Sequence, residues 1–242
     1  MAERGLAESR EKAQALILSG KVTVDGQRAD KAGHAVGPKA RIEVSEPLKY
    51  VSRGGLKLEA ALAEFHVSAA GRVCLDVGTS TGGFTDCLLQ HGATRVHAVD
   101  TGAGQIDWKL RTDPRVILHE QMNARYLSKD EIGEIVSLLV CDVSFISVTL
   151  LIPALLPLVD PDGDWIILVK PQFEAGREFI EKGGIVRDPA GHRLACERVS
   201  EAMRAAAFKV ELRDSPILGG EGNREFLLHA RKTPLARTRT SL

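Results

Sequence analysis

The hydrophobic pattern of this 242-residue chain changes near residue 56. Before that point, apolar residues recur at helical spacing over 9–19, and short alternating segments follow at 21–24 and 40–44. An Asp-Gly turn signal comes directly after the first alternating segment. The pattern predicts a small α+β unit, followed by a new helix over 56–65.

From residue 72 onward, apolar strands alternate with segments of helical spacing. This rhythm predicts an open α/β sheet that is mostly parallel. A short link between the last two strands predicts that they form an antiparallel pair, which completes a Rossmann-like seven-stranded sheet. The predicted strands span 72–77, 94–99, 115–119, 136–141, 163–169, 207–212 and 225–230.

A glycine-rich turn follows the first of these strands. Residues 73–84 read VCLDVGTSTGGF, an apolar strand that reaches Asp76 and turns through Gly78, Gly82 and Gly83 into a helix. Glycines let the backbone approach a ligand closely, and the amides that open a helix attract polar groups. The spacing differs from the Gly-x-Gly-x-x-Gly pattern of pyrophosphate sites. It predicts a cofactor without phosphates, such as S-adenosylmethionine.

Charged residues end three more of the predicted strands. Asp100 lies 17 residues after Gly83, which is the usual distance of an acid that binds a ribose. Asp142 and Lys170 end two apolar strands, and Pro171 then forces the chain out of the strand direction. Because ligands bind beyond the carboxyl ends of parallel strands, all three side chains are predicted to project into the cofactor crevice.

Composition narrows the class of protein. With 44% hydrophobic residues, the chain can bury one core and a small accessory domain. It has no apolar run of about 20 residues that could span a bilayer, and its first residues lack the apolar stretch of a signal peptide. Its four cysteines are far apart. We therefore expect a cytoplasmic protein with neither a membrane partner nor a metal ion.

The charge is unevenly distributed although the formal net charge is zero. Residues 1–57 carry 11 Lys and Arg against 7 Asp and Glu, and residues 231–242 carry four basic and no acidic residues. The middle of the chain is correspondingly acidic. Phosphate contacts need local rather than total positive charge, so the basic ends could either bind a polyanion or simply solvate the surface.

Six segments match one family in order. They are SRGGLKL at 52–58, DVGTSTGGF at 76–84, DVSFIS at 142–147, KPQFE at 170–174, GGIVRD at 183–188 and GNREF at 222–226. Over nearly its whole length, the chain resembles the TlyA-type ribosomal RNA 2'-O-methyltransferases, also labelled haemolysin A, whose catalytic domain is similar to FtsJ-like enzymes. The resemblance implies methylation of a cytidine 2'-hydroxyl in ribosomal RNA, with S-adenosylmethionine as cofactor.

The resemblance also implies a catalytic tetrad of Lys57, Asp142, Lys170 and Glu225. Spacing alone does not select Lys57 or Glu225. Lys170 is expected to act as base or to stabilise an alkoxide, oriented by Asp142, while the other two position the ribose. If the two lysines lie close together, like charge would favour the neutral form of one amine. The predicted cofactor site comprises Asp76, Gly78, Ser80, Gly82, Gly83, Phe84, Asp100, Asn123 and Asp142.

The N-terminal segment is similar to a small RNA-binding domain found in a ribosomal small-subunit protein and in pseudouridine synthases. The match rests on SREKA at 9–13 and GKVTVDG at 20–26. The family usually has further residues before this match, so the domain is expected to be truncated at its start. The predicted phosphate contacts are Arg10, Lys12, Lys21 and Arg28.

These observations predict four parts of the chain: an RNA-binding domain at 1–46, a linker at 47–55, a methyltransferase domain at 56–232 and a basic tail at 233–242. The predicted partner is ribosomal RNA or a ribosomal subunit. Two alternatives stay open, an RNA-binding protein with an inactive methyltransferase fold and a membrane-lytic haemolysin. The second alternative lacks any amphipathic or membrane-spanning segment to support it.

Overall fold

The structure, a computed structural model, describes residues 1–18, 20–29, 31–37, 39–44, 49–219 and 222–232. It divides into two compact units, and the boundary lies between Lys49 and Tyr50. The predicted basic tail at 233–242 lies outside the described residues, as do residues 45–48 at the predicted end of the first domain and start of the linker.

The first unit consists of one helix and a three-stranded antiparallel sheet with strand order β2-β1-β3. Asp25 and Gly26 both have positive φ values, of 51° and 81°, which suits a tight turn between two antiparallel strands. The predicted hairpin therefore forms where its turn signal stands. The elements are α1 (Arg10–Leu18), β1 (Val22–Val24), β2 (Gln27–Arg28) and β3 (Ile42–Val44), after a short 3-10 helix at Ala2–Arg4.

The second unit contains all seven predicted strands. Its helices are α2 (Gly54–Glu64), α3 (Gly83–Gln90), α4 (Trp108–Arg111), α5 (Lys129–Ile132), α6 (Ile152–Leu155), α7 (Pro171–Glu174) and α8 (Pro189–Ala205). Its strands are β4 (Val73–Val77), β5 (Arg95–Val99), β6 (Val116–His119), β7 (Val136–Cys141), β8 (Val159–Val169), β9 (Phe208–Asp214) and β10 (Phe226–Lys232). Short 3-10 helices lie at Ala124–Tyr126, Val148–Leu150, Leu156–Leu158 and Arg177–Phe179.

These strands form one sheet in the order β6-β5-β4-β7-β8-β10-β9. The first five are parallel, and β10 is antiparallel to both β8 and β9. The strand order reverses between β4 and β7, which is where a doubly wound sheet opens its ligand crevice. The predicted fold class, a Rossmann-like seven-stranded sheet with a small N-terminal α+β unit, is confirmed.

The sheet has an apolar core on each face because successive strand residues point to opposite sides. Cys74 belongs to one core and Leu75 to the other. Helices α2 and α3 pack on the first face, and α6 and α8 on the second. Among the described residues, no helix is long and apolar enough to cross a membrane.

The segment from Tyr50 to Gly55, predicted as part of a linker, belongs to the second unit. The Tyr50 side chain is buried, and the backbone N–H of Val51 donates to Asp86 Oδ2 at 2.8 Å. The Tyr50 ring occupies the space beside Gly55, where a Cβ atom would lie 2.3 Å from the ring. Composition suggested a linker because glycine, serine and arginine are common in linkers, whereas here the glycines make room for a buried ring.

A buried carboxylate joins three elements at the far end of the sheet from the predicted crevice. Asp164, near the middle of β8, accepts hydrogen bonds from Arg72 Nη1 at 2.7 Å and from His229 Nε2 at 2.9 Å. Burial raises the pKa of the Asp164 carboxyl, but the bonds from His229 and Arg72 outweigh this and hold it below its usual value. The network ties the residue before β4 and the middle of β10 to β8.

Adjacent glycines at the start of α2 give a matched test of the Tyr50 packing. Gly55→Ala should lower the free energy of unfolding by about 1–3 kcal/mol, because the new methyl group overlaps the Tyr50 ring. Gly54→Ala should be tolerated, since its Cβ would meet only ordinary contacts at 3.5 Å and beyond. Urea titration of both variants measures the difference. Equal free energies of unfolding for the two variants would contradict the close packing of the Tyr50 ring against Gly55.

Candidate active site

A cavity of about 420 Å³ opens at the carboxyl ends of β4, β5 and β7. Five of the predicted cofactor residues line it: Gly78, Ser80, Asp100, Asn123 and Asp142. They come from four separate segments of the chain, which the parallel sheet brings to one edge. The remaining predicted cofactor residues, Asp76, Gly82, Gly83 and Phe84, are buried behind the loop and do not line the cavity.

Gly78 is required by the geometry of the loop. Its φ is 87°, and a Cβ atom there would lie 2.4 Å from the carbonyl oxygen of Asp142. The loop after β4 therefore passes directly over the end of β7, which only a glycine permits. The cavity floor is consequently backbone, open to close approach by a ligand.

Asp100 is fixed by backbone donors from both sides. The N–H of Ser80 donates to Oδ2 and the N–H of Gly102 donates to Oδ1, each at 2.7 Å. A carboxylate oxygen has room for a second donor, so the hydroxyl groups of a ligand can share these oxygens. This supports the predicted contact with a ribose.

The glycine pair after the loop allows close packing of the neighbouring helices. A Cβ at Gly82 would lie 2.3 Å from Leu110 of α4, and one at Gly83 would lie 2.2 Å from Ser52 Oγ and 3.0 Å from the Gly55 nitrogen. Helices α2 and α3 therefore approach each other through glycines. Because α2 carries Lys57, this close packing sets that lysine relative to the cofactor loop.

Asp76 supports the loop from beneath. Its side chain is fully buried, and Oδ2 accepts a hydrogen bond from Thr85 Oγ1 at 2.6 Å. The pKa of Asp76 is raised to about 7, mainly by burial. The Thr85 hydrogen bond lowers this pKa, and the charges of Asp142 and Asp100 raise it. The contribution of Asp76 to the free energy of unfolding therefore depends strongly on pH.

The sign of that effect follows from the raised pKa. Between the ordinary aspartate pKa, about 4, and about 7, the unfolded chain loses the Asp76 proton while the folded chain keeps it. Stability is therefore lost as pH rises through this interval. Asp76→Asn removes the ionisation, so its free energy of unfolding relative to that of the unmodified protein should rise from pH 5 to pH 8 in urea titrations. If the difference between the two free energies of unfolding does not change with pH, the raised pKa of Asp76 is contradicted.

The sheet register brings three of the four predicted tetrad residues to the same edge. Cys141 pairs with Ile167, so Asp142 leaves β7 beside the end of β8. Phe226 pairs with Val169, so Glu225 and Lys170 leave neighbouring strands at adjacent positions. Lys57 reaches this edge from α2.

The four residues form two ion pairs. Lys170 Nζ lies 2.6 Å from Asp142 Oδ1, and Lys57 Nζ lies 2.5 Å from Glu225 Oε2. The second pair is almost completely buried, with 9% and 2% of the two side chains exposed. Each lysine is thus matched with a carboxylate. Asp142 belongs both to its ion pair and to the cavity wall.

Glycine also makes room for the buried pair. A Cβ at Gly219 would lie 2.0 Å from Glu225 Oε1, so the loop before β10 needs a glycine where the carboxylate packs. Asn223 holds the same loop, because its backbone carbonyl accepts the Gly219 N–H at 2.8 Å and its side chain binds Gly184 and Val186. This connects the GGIVRD and GNREF segments.

Sequence reasoning missed three residues at this edge. Ser144 Oγ accepts a hydrogen bond from Lys170 Nζ at 2.9 Å. Phe145 is 92% exposed on the cavity wall with a φ of 66°, and its ring packs against Phe173 with centroids 5.3 Å apart. Glu174 is buried and bonds to the loop that carries Ser144. All three lie inside the DVSFIS and KPQFE segments. Their position in these two matched segments is the only feature of the sequence that could have identified them.

The four predicted RNA contacts all lie in the first unit but differ in exposure. Arg10 and Lys12 are exposed on α1, next to Glu3 and Glu8 respectively. Lys21 is half-buried before β1, and the Arg28 guanidinium lies over Gly20. In the part of the chain that the structure describes, no group of three His, Cys, Asp or Glu side chains could hold a metal ion.

Comparison with known proteins identifies the family. The FtsJ-like methyltransferase family matches residues 50–232, and the S4 domain matches residues 1–42. The chain is 44% identical over 236 residues to "16S/23S rRNA (cytidine-2'-O)-methyltransferase TlyA" of Mycobacterium tuberculosis, covering 96% of this chain and 87% of that protein. It is 44% identical over 227 residues to "Hemolysin A" of Brachyspira hyodysenteriae, covering 93% and 95%.

A solved structure is similarly close. A Streptococcus thermophilus protein that carries a hemolysin name has 46% sequence identity and a TM-score of 0.76, covering 96% of this chain and 86% of that one. The chain belongs to the FtsJ-like methyltransferase family and, within it, to the group of TlyA and hemolysin A. It is a methyltransferase, and its methyl donor is S-adenosylmethionine. The glycine floor and the fixed Asp100 carboxylate of the cavity suit that molecule.

Proposed function

We propose that this protein methylates the 2'-hydroxyl of a cytidine in ribosomal RNA, in the cytoplasm. The observation that carries the proposal is the Lys170–Asp142 ion pair, whose carboxylate lines the cofactor cavity, at the same edge of the sheet as the buried Lys57–Glu225 pair. The name of the M. tuberculosis relative supports the nucleotide and the acceptor group. The match of residues 1–42 to the S4 domain supports an RNA substrate.

Methyl transfer to a ribose hydroxyl needs help at the oxygen, because the hydroxyl is a weak acid. S-adenosylmethionine supplies an electrophilic methyl group. Lys170 Nζ donates one hydrogen bond to Ser144 Oγ and is in ion-pair contact with Asp142 Oδ1. An ammonium group has three N–H donors, so the Lys170 amine can also donate to the acceptor oxygen. The Lys170 amine is held beside a carboxylate, so we assign it the stabilisation of negative charge that develops on that oxygen while the hydroxyl proton passes to solvent. The methyl group leaves the sulfur for the oxygen, which yields the 2'-O-methyl ribose and S-adenosylhomocysteine.

The Lys57–Glu225 pair has a positioning role in this proposal. Its two side chains are buried and joined to each other, so the pair fixes α2 against the start of β10, beside the end of β8 that carries Lys170. The pair would position the ribose indirectly, by keeping this side of the site in a fixed geometry relative to the methyl group. Phe145 offers an exposed ring at the mouth of the cavity, on which an unstacked base can pack.

Replacing Lys170 tests the proposed chemistry. Lys170→Ala should lower the rate of methyl transfer by about 100-fold or more, because it removes the cation from the acceptor oxygen. Affinity for S-adenosylmethionine, measured by calorimetry, should change little. The rate is measured with labelled cofactor and isolated ribosomal subunits, and the product is mapped as 2'-O-methylcytidine.

Lys209→Ala is the matched control, since Lys209 is an exposed lysine on the edge strand β9. It should keep the full rate. Unmodified protein that binds both cofactor and RNA without transferring methyl would favour an RNA-binding protein with an inactive fold. Leakage of loaded lipid vesicles would favour the membrane-lytic alternative.

The first unit should contribute phosphate contacts through its exposed cations. The double variant Arg10→Ala, Lys12→Ala should weaken RNA binding and reduce the slope of log K against log salt by about 2, because the slope changes by about 1 for every phosphate that is no longer neutralised. Cofactor affinity should not change. Filter binding at several salt concentrations measures the slope, and Gln14→Ala, an exposed neutral position on α1, is the control. An unchanged slope would place the RNA contact elsewhere.

A further inference from the structure

Two segments of the chain carry the acceptor side of the site, and five contacts join them at three points. The loop at 142–148 follows β7, and the segment at 170–174 follows β8. Lys170 binds Asp142 and Ser144 at the near end. The rings of Phe145 and Phe173 meet in the middle, and Glu174 binds the far end.

Glu174 makes two hydrogen bonds to the end of the 142–148 loop. Its Oε2 accepts a hydrogen bond from Ser147 Oγ at 2.6 Å, and its Oε1 accepts the backbone N–H of Val148 at 2.8 Å. Val148 opens the short 3-10 helix Val148–Leu150, whose first N–H groups have no partner within the helix. The Glu174 carboxylate, at the end of α7, thus caps the short 3-10 helix that begins at Val148.

The environment of Glu174 shows that its position is enforced. The residue is 5% exposed, and burial raises the pKa of its carboxyl while the bonds from Ser147 and Val148 lower it. Its backbone carbonyl accepts a hydrogen bond from Arg198 Nη1 of α8 at 2.7 Å. A buried carboxylate is costly unless its hydrogen bonds are made. The side chain therefore cannot relax without releasing the 142–148 loop.

Glu174 lies outside the wall of the cofactor cavity, whereas Asp142, Ser144 and Phe145 of the loop that it holds line that cavity. The hydrogen bonds from Ser147 and Val148 therefore connect Glu174 to the cavity wall through that loop.

We propose that Glu174 is a positioning residue for methyl transfer, which fixes the 142–148 loop so that Asp142 and Ser144 orient the Lys170 amine. The inference rests on the function proposed above. It goes beyond the tetrad because it assigns a role to a buried carboxylate that does not line the cofactor cavity. A small displacement of Lys170 would lower the rate without weakening the binding of either substrate.

The test compares Glu174→Ala with Glu174→Gln. Alanine removes both hydrogen bonds, so kcat should fall about 10- to 100-fold while KM for RNA and for S-adenosylmethionine stays within about threefold. Glutamine can accept the Val148 N–H through its carbonyl oxygen and donate to Ser147 Oγ, so it should restore most of kcat.

Asp164→Ala is the control for lost stability, because Asp164 is also a buried carboxylate with two side-chain donors, at the other end of the sheet. It should unfold at lower urea concentration but keep kcat. If Glu174→Ala loses stability to the same extent and also keeps kcat, Glu174 has only a structural role and the proposal is overturned.

Hydrogen exchange gives a readout that does not depend on activity. In Glu174→Ala, the amides of residues 142–148 should exchange at least about tenfold faster than in the unmodified protein, and Glu174→Gln should restore their protection. Unchanged exchange in Glu174→Ala would overturn the positioning role. Absence of methyl transfer by the unmodified protein would instead contradict the proposed function, and the exchange measurement would still decide whether Glu174 holds the loop.

Discussion

The buried ion pair between Lys57 and Glu225 is the constraint on which the catalytic unit depends. It joins the first helix of that unit to the start of its last strand, 168 residues later in the chain. Removing one partner of such a pair leaves an uncompensated charge in the interior, which typically costs about 3–5 kcal/mol. The pair therefore holds only if α2, β8 and β10 are all in place. Because this ion pair joins parts that are distant in the chain, the geometry of the site is established only when the whole unit has folded.

Glycines provide the space that this arrangement needs. Gly83 lets α3 approach α2, Gly55 accommodates the Tyr50 ring, and Gly219 accommodates the Glu225 carboxylate. Only Gly78, among the three glycines of the cofactor turn, faces the cavity. The glycine-rich segments of this chain are thus mainly packing devices, which bring charged side chains together at distances that a methyl group would prevent.

The sheet could be predicted from the sequence because each strand is a local pattern with its own turn signals. Asp100, Asp142 and Lys170 could also be predicted, since a residue at the end of a parallel strand must lie at the ligand edge. Lys57 and Glu225 could not be selected by spacing, because their partner is distant in the chain and only the resemblance pointed to them. Glu174 lies within the KPQFE segment, but its role could not be predicted from the sequence. Its hydrogen bonds depend on how the residues after β7 and those after β8 meet in the fold.

The two lysine–carboxylate pairs differ in a way that bears on their roles. Glu225 has 2% of its side chain exposed and does not line the cavity, so its pair responds little to what binds there. Asp142 is 20% exposed and is shared between Lys170 and the cavity wall. A cationic donor beside Asp142 would compete with Lys170 for the same negative charge. Asp142 is thus the one tetrad residue that both lines the cavity and belongs to an ion pair, whereas the Lys57–Glu225 pair is a buried link between α2 and the start of β10.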